Sequence, residues 1–205
     1  MKSQILEMRE MGHMETDPVN AGIRVECYPS IAAVPREVWN GGMTLPTPMR
    51  YEFLELVEKS GINDLRHWNL RMTTAGTEQA RANLFLSETD FSTFDAKLPP
   101  SARLTIKRWS PGFMTFKVLE CGYFTMIGEG LVVREAQAFP EALRALTQEM
   151  DRLASEESAD FLLIRDVPME QYEAYRDILR PLGYYPVLGS CCPCAGSRWT
   201  VIWRH

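Results

Sequence analysis

FMTFKVLECG (113–122), FPEALRALTQEMDRLASE (139–156) and FLLIRDV (161–167) are the segments whose patterns decide the fold. The first segment alternates apolar and polar residues, which predicts a half-buried strand. In the second, leucine and methionine recur every three or four residues, which predicts an amphipathic helix with Pro140 in its first turn. The third is a short apolar run, typical of a central strand that is buried on both faces.

The chain continues with YEAYRDILRPLGYYPVLG (172–189). This segment predicts a second helix, a turn at Gly183 and a strand from Tyr184 to Leu188. Glycines within residues 122–130 predict a turn between the first strand and the first helix. The order strand, helix, strand, helix, strand predicts an α/β layer.

The residues before this layer predict further elements that support it. A strand from Ile23 to Ile31 and a short helix in PREVWNGG (35–42) come first, and a longer helix follows Thr47 and ends at Gly61. Three more strands are predicted in HWNLRMTT (67–74), RANLFLSE (81–88) and RLTIKRW (103–109).

Length, composition and charge limit the possible functions. The chain has 205 residues, 45% of them hydrophobic, and a net charge of −5. No apolar run approaches the roughly 20 residues that span a bilayer, and no basic stripe is present. We therefore expect a soluble, cytoplasmic protein that binds neither membranes nor duplex DNA. Residues 1–22 predict a flexible N-terminal segment, residues 23–205 a single domain, and Asp90 to Pro100 a mobile loop over a site.

The order of the elements resembles the acyltransferase fold of the GNAT superfamily. Five phrases also resemble the first half of FemAB-like peptidyl and aminoacyl transferases: IAAVPREVWNGG (31–42), PMRYEFLELVEKSG (48–61), VLECG (118–122), LLIRDVP (162–168) and LRPLGYYPVLG (179–189). The resemblance implies an α/β fold with a GNAT-like mixed, mostly antiparallel sheet flanked by helices on both faces. It also implies transfer of an acyl or aminoacyl group to a small-molecule or peptide amine, with acyl-CoA or aminoacyl-tRNA as the donor substrate.

The resemblance also indicates where the donor and the substrate would bind. In the superfamily, backbone N–H groups between two splayed central strands bind the acyl carbonyl, and a glycine loop before a helix holds the pyrophosphate of coenzyme A. The matching candidates here are Cys121, Gly122, Tyr123, Gly128, Gly130, Arg165 and Asp166. Glu129 puts a negative charge between two of the glycines, so a simple tight turn is the competing interpretation. Arg165 and Asp166 close the central strand at its carboxyl end, where they could bind substrate or pair with helix ends.

Three residues are candidates for proton transfer, namely Glu120, Tyr175 and Tyr184. Glu120 ends the strand that would carry the reactive centre, and burial could raise its pKa enough for a base; a charge at the rim is the alternative. The leaving-group acid of the family is a tyrosine at the position of Leu179 in this chain. Tyr175 and Tyr184 lie nearby and could replace it, or they could serve only in packing.

The end of the chain supports other hypotheses. Cys191, Cys192 and Cys194 include one C-x-x-C pair, a spacing that suits zinc or redox chemistry, with a free-thiol loop as the alternative and no metal site assigned. SRWTVIWRH (197–205) predicts a last strand that completes the sheet or forms an exposed edge. FemAB-like proteins carry two such halves, so a homodimer through this strand is a possible arrangement. A non-catalytic binding or assembly domain is the alternative function.

Overall fold

The structure, a computed structural model, describes residues 22–62, 65–90, 99–110, 112–189 and 199–204. Its strands are β1 (Arg24–Tyr28), β2 (Arg66–Thr74), β3 (Thr77–Asp90), β4 (Thr115–Cys121), β5 (Leu131–Val133), β6 (Phe161–Pro168), β7 (Tyr185–Gly189) and β8 (Trp199–Arg204). Its α-helices are α1 (Arg36–Asn40), α2 (Tyr51–Ser60), α3 (Pro100–Trp109), α4 (Phe139–Glu157) and α5 (Tyr172–Leu179). Within these ranges, every helix is too short or too polar to cross a membrane.

The eight strands form one mixed sheet in the order β1-β2-β3-β4-β6-β8-β7, and the short β5 pairs with β3. β4 and β6 run parallel, whereas the other described pairs are antiparallel. A parallel pair needs a crossover connection, and α4 provides it. The centre of the sheet is therefore the place where parallel and antiparallel pairing meet.

One face of the sheet is apolar and is covered by α4 and α5. Leu84 of β3 and Leu119 of β4 pack there with Leu143 and Leu146 of α4. The strand residues share a face because side chains alternate along a strand, and the helix residues share a face because of the 3.6-residue period. This face holds the larger of the two hydrophobic cores.

The opposite face is covered by α1 and α2, and its core is smaller. Trp39 of α1 and Leu54 of α2 are buried there with Tyr123, which follows β4. The Trp39 indole N–H donates to the carbonyl oxygen of Met49 at 2.7 Å, which ties α1 to the turn before α2. Gly61 ends α2 with a φ of 60°, a left-handed conformation that glycine adopts readily.

The predicted architecture is confirmed: the described residues form an α/β fold with a mixed, mostly antiparallel sheet and helices on both faces. The helices predicted around residues 51–61, 139–156 and 172–179 are present, and so is the central strand β6. The fold class could be predicted because each of these segments has a clear local pattern, a helical repeat in the helices and a short apolar run in β6.

The strand predicted at residues 103–109 is wrong, because these residues lie in helix α3. Pro99 and Pro100 begin this helix, and proline suits a first helical turn. β3 and β4 also pair directly with each other, which leaves no place in the sheet between them. The last strand, β8, lies between β6 and β7, so it is not an edge strand; β7 forms the edge on this side of the sheet and β1 forms the other.

Some predicted features lie outside the described residues. These are the flexible segment up to residue 21, residues 91–98 of the predicted loop, and the cysteines at 191, 192 and 194. The assignment of residues 23–205 to a single domain stays a prediction.

Candidate functional site

Glu120 lies on the face of the sheet that α1 and α2 cover, and it is only 7% exposed. Ser87 of β3 donates to its Oε1 at 2.8 Å, and Arg165 of β6 donates to its Oε2 at 3.3 Å. The three residues come from three adjacent strands, β3, β4 and β6. The sheet itself therefore fixes the orientation of this carboxylate.

Burial raises the pKa of the Glu120 carboxyl above its ordinary value. The positive charge of Arg165 and the hydrogen bond from Ser87 lower that pKa, but they do not offset the loss of water around the carboxylate. A carboxylate with a raised pKa is a better proton acceptor than an exposed one. Glu120 therefore has the electrostatic environment that a general base needs.

β4 and β6 stop pairing just beyond Glu120. Their last paired residues are Cys121 and Ile164, and β6 then has an irregular register along β8 before Val167. Within this irregularity, Asp166 has a φ of 57°, a left-handed conformation that is unfavourable for a residue with a Cβ. The two parallel strands are therefore unpaired at their carboxyl ends, where the resemblance implies an acyl-binding site.

Residues 122–130 form a closed loop between β4 and β5, and Asn83 holds both of its ends. The Asn83 carbonyl oxygen accepts from the Gly122 N–H at 3.2 Å, and the Asn83 N–H donates to the Gly130 carbonyl oxygen at 3.0 Å. A Cβ at Gly130 would lie 2.2 Å from the backbone nitrogen of Gly122. Glycine is therefore required at this position by close approach of the backbone.

The middle of this loop is held against β6 and the start of α5. The Gly128 N–H donates to the Asp166 carboxylate at 3.3 Å, and the Gln171 amide donates to Glu129 at 3.1 Å. Burial raises the pKa of both carboxyls. Because two acidic side chains lie beside the loop and one loop amide is already bonded, the pyrophosphate of coenzyme A does not fit this loop.

Tyr175 and Tyr184, the candidates for the leaving-group acid, are each 1% exposed. Both belong to the core on the α4 and α5 side, and the ring of Tyr175 packs edge-on against Phe139 with centroids 4.9 Å apart. Burial raises the pKa of Tyr175 well above its ordinary value. Leu179 is buried in the same core. The two phenols therefore lie across the sheet from Glu120, and the structure does not bring them together with it.

Cys121 also faces the α4 and α5 core and is fully buried, as its alternation with Glu120 predicts. Burial raises the pKa of its thiol. Only the backbone of Cys121 adjoins the loop, so its side chain is not placed to touch a ligand on the Glu120 face. Tyr123, by contrast, is buried in the core under α1 and α2.

A chain of polar side chains lies beside Glu120, and sequence reasoning missed it. Asn83 donates to Asn69 at 3.0 Å, and Asn69 donates to Glu58 of α2 at 2.9 Å. Glu58 also accepts from Ser30 Oγ at 2.7 Å and from the Ile31 N–H at 2.9 Å. A signal was available, because polar residues occupy three of the four alternate positions 81, 83, 85 and 87 of β3, namely Arg81, Asn83 and Ser87.

A buried ion pair lies farther along the same face. Arg81 is fully buried, and its Nη2 lies 2.6 Å from Oε2 of Glu78 and 2.6 Å from the carbonyl oxygen of Gly41. The Arg81 guanidinium carbon lies 5.0 Å from the centroid of the Trp39 ring. Arg71 of β2 supplies a second cation, 3.5 Å from Glu78. These contacts attach α1 to the sheet.

Metal chemistry has no support among the described residues, where no group of three or more His, Cys, Asp or Glu could hold an ion. Cys27 and Cys121 are free thiols. The zinc or redox hypothesis rests on residues 191–194, which lie outside the described ranges, and it stays a prediction.

Two curated relatives, from two strains of Mycobacterium tuberculosis, are 49% identical to this chain over 146 residues. Both carry the name "Putative 8-amino-7-oxononanoate synthase 2". The matched region is 71% of this chain but 19% of each relative, so the chain spans about a fifth of the length of these relatives. No protein-family model matches the chain.

Two solved structures are similar to the chain at 12% sequence identity. An apo-form mutant of agmatine N-acetyltransferase covers 90% of this chain and 99% of its own, with a TM-score of 0.39. The polyamine N-acetyltransferase of Drosophila melanogaster covers 89% of this chain and 99% of its own, with a TM-score of 0.41. The finer resemblance to FemAB-like transferases stays a prediction.

Proposed function

We propose that this chain is an N-acyltransferase domain that moves an acyl group from an activated ester or thioester to an amine. The observation that supports this most is the buried Glu120 carboxylate, held by Ser87 and Arg165 where β4 and β6 stop pairing. A base in that position can take the proton that an amine loses as it becomes an amide.

The proposed step forms one C–N bond and breaks one C–S or C–O bond. The neutral amine attacks the carbonyl carbon of the donor, and Glu120 accepts the amine proton. Arg165 compensates the charge of the carboxylate before that proton arrives. Backbone N–H groups of β6 beyond Ile164, where the pairing with β4 ends, are the candidates that bind the carbonyl oxygen, since the Gly122 N–H beyond Cys121 already donates to Asn83. The leaving thiolate or alkoxide takes a proton from solvent, because Tyr175 and Tyr184 lie on the other side of the sheet, and Glu120 then releases the amine proton to solvent.

The acidic side chains around loop 122–130 limit which part of the donor this loop could bind. With Glu129 and Asp166 beside the loop amides, a donor would be recognised through its activated carbonyl and acyl group and not through a pyrophosphate in this loop. Acyl-CoA and aminoacyl-tRNA are the two donors to compare. The name of the curated relatives denotes a synthase of 8-amino-7-oxononanoate. We treat that activity as a hypothesis for a longer protein that contains such a domain.

Transfer assays with purified protein test this proposal. The wild-type chain is incubated with acetyl-CoA or longer acyl-CoA esters and a panel of primary amines, and free thiol is measured; a parallel assay follows deacylation of aminoacyl-tRNA. We expect amine-dependent turnover that Glu120→Gln lowers about 100-fold. Glu88→Gln, at an exposed position of β3, is the matched control and should keep activity. A wild-type protein that transfers from none of these donors would refute the proposal.

A non-catalytic binding domain is the second candidate, favoured by the burial of both phenols and by two apolar side chains on α3. Leu104 and Trp109 are 74% and 85% exposed, although such residues are normally covered. Pairing of two copies through the sheet would use an edge strand, β1 or β7, and not β8. A chain that binds a donor or an amine without turnover would support this candidate.

A further inference from the structure

Gly122 faces Arg165 at the point where β4 and β6 stop pairing. The parallel register of the two strands sets Glu120 beside Leu163, and the pairing ends one residue later. Extended by two positions, the same register sets Gly122 beside Arg165. Because side chains alternate along a strand, positions 120, 122 and 165 belong to the same face of the sheet. A side chain at position 122 would therefore compete for space with the Arg165 side chain.

The side chain of Arg165 occupies that space. A Cβ at Gly122 would lie 3.1 Å from the Cβ, 3.5 Å from the Cδ and 3.6 Å from the Cγ of Arg165, and these are the three atoms nearest to it. Carbon atoms in optimal contact are about 3.5–4.0 Å apart, so the shortest of these distances would be repulsive. The aliphatic part of Arg165 therefore packs directly over the Cα of Gly122.

From this position the Arg165 guanidinium contacts the candidate base. Its Nη1 donates to Oε2 of Glu120 at 3.3 Å. Burial raises the pKa of the Glu120 carboxyl, and the Arg165 charge opposes that rise. The ion pair with Glu120 therefore depends on the path that the Arg165 side chain takes across Gly122.

Two further groups act on the Glu120 carboxyl. Ser87 of β3 donates to it and lowers its pKa, whereas the negative charge of Asp166 on β6 raises that pKa. Burial also raises the pKa of the Asp166 carboxyl, and the Arg165 charge again opposes the rise. Arg165 therefore supplies positive charge to both carboxyls, and a displacement of its guanidinium would affect both.

We propose that Gly122 is a positioning residue for Glu120, because its lack of a side chain leaves the path along which Arg165 reaches the carboxylate. Gly122→Ala would push the Arg165 side chain aside and move its guanidinium away from Glu120. The Glu120 carboxyl would then stay protonated to a higher pH. The effect on turnover rests on the proposed function, since Glu120 is the base of that reaction, whereas the effect on the carboxyl does not.

NMR titration of the full chain tests this inference without an acyl donor. The carboxyl carbon of Glu120 is followed with pH in the wild type, in Gly122→Ala, in Arg165→Met and in the double variant. Gly122→Ala and Arg165→Met should each raise the Glu120 pKa, because each takes the guanidinium away from the carboxylate. In the Arg165→Met background, Gly122→Ala should leave the Glu120 pKa unchanged, because no guanidinium remains to be moved.

Gly76→Ala is the matched control for backbone strain. Gly76 lies in the turn between β2 and β3, and it has a positive φ as Gly122 does, 78° against 154°. A Cβ at Gly76 would meet no atom within 4 Å among the described residues. An alanine is strained at both positions, but only Gly122→Ala brings it against Arg165. Gly76→Ala should therefore lower stability without changing the Glu120 pKa.

An unchanged Glu120 pKa in a folded Gly122→Ala variant would overturn the inference, and so would an equal rise with and without Arg165. If Gly122→Ala fails to fold, adding Arg165→Ala should restore folding, because it removes two of the three atoms that the new Cβ meets. A double variant that stays unfolded would also overturn the inference.

The transfer assay then measures the consequence for catalysis. Below the raised pKa, Gly122→Ala should lower kcat/KM at least about tenfold, and the rise of the rate with pH should move to higher pH. A wild-type chain without transfer activity would refute the proposed function, whereas the NMR titration would still decide whether Gly122 positions Arg165.

Discussion

The two faces of the sheet are built from the same strands but differ in chemistry. Towards α4 and α5, β3 and β4 present Leu84 and Leu119, which lie in the larger core. Towards α1 and α2, the same strands present Asn83, Ser87 and Glu120. One face is stabilised by apolar burial, and the other contains polar groups that are buried together.

This difference shows where the protein can do chemistry. A buried polar group is tolerated only when it is hydrogen-bonded or paired, and the α1 and α2 face meets that condition at most positions. Glu120 has Ser87 and Arg165, and Asn83 has Asn69. The apolar face has no such network at Cys121 or Tyr175, which lie among aliphatic and aromatic side chains. The apolar face is therefore held by burial alone, whereas the other face combines buried polar contacts with the candidate site residues.

The largest effect on stability should come from breaking the ion pair on the polar face. Arg81→Met leaves the buried Glu78 with Arg71 as its remaining cation, and removal of one partner from a buried pair costs about 4 kcal/mol of unfolding free energy. Urea denaturation measures this loss. Arg66→Met is the control, since the exposed Arg66 to Glu157 pair should contribute less than about 1 kcal/mol. Similar losses in both variants would mean that the polar face is not held by buried charge.

Glu120→Gln should lower kcat/KM for acyl transfer about 100-fold, equivalent to about 2.7 kcal/mol of activation free energy. Because burial raises the pKa of Glu120, the wild-type rate should rise with pH above the range of an ordinary glutamate, as the carboxyl loses its proton. The variant should lack this limb of the pH profile. If the wild-type rate instead rises in the pH range of an exposed glutamate, Glu120 is not the general base.

The stability of Glu120→Gln gives an independent check. The raised pKa means that the folded state holds the Glu120 proton more tightly than the unfolded state does. The unfolding free energy should therefore fall as pH rises from the ordinary glutamate pKa through the raised one, and stay lower above it. Urea denaturation over this range should show the decrease in the wild type and a flatter profile in the variant. Equal slopes in both proteins would contradict the raised pKa.

Sequence periodicity was enough to predict most of the scaffold. α4 repeats its leucines at helical spacing and β6 is a short apolar run, so neither depends on distant residues for recognition. The strand prediction for residues 103–109 was wrong because a short alternating pattern is compatible with either a strand or a helix. The direct pairing of β3 with β4 leaves no place for another strand between them, so these residues form a helix. Local patterns therefore predict an element well when the pattern repeats over many residues.

The site was less predictable because it depends on pairing across strands. Adjacent residues of a regular strand, such as Arg165 and Asp166, would lie on opposite faces. Asp166 instead lies in an irregularity with a φ of 57°, and its carboxylate accepts from the Gly128 N–H. The contact between Asn69 and Asn83 requires the register of β2 with β3, which no local pattern shows. Glu120 could be named as a candidate because its place at the end of a strand is local information, and its catalytic role stays a prediction.

Cys121→Ser should cost about 2 kcal/mol of unfolding free energy, because it places a hydroxyl in the apolar core without a polar neighbour. Cys27→Ser is the matched control. Burial and Glu149 raise the pKa of Cys27 to about 12, and its thiol lies within hydrogen-bonding reach of Glu149, so a serine hydroxyl would find an acceptor there. Chemical denaturation should show a loss for Cys121→Ser and little change for Cys27→Ser. Equal losses would mean that the two thiols do not differ in polar surroundings.

The smallest predicted effect is an increase in the unfolding free energy, whereas Arg81→Met and Cys121→Ser lower it. Tyr123→Phe removes a buried hydroxyl that has no partner among the described residues, so the unfolding free energy should increase by up to about 1 kcal/mol. Tyr28→Phe is the control, because the Tyr28 hydroxyl donates to Glu26 at 3.0 Å and its loss should destabilise the chain by about 1 kcal/mol. Thermal denaturation without ligand measures both changes. A destabilised Tyr123→Phe variant would show that the hydroxyl is already satisfied in the folded protein.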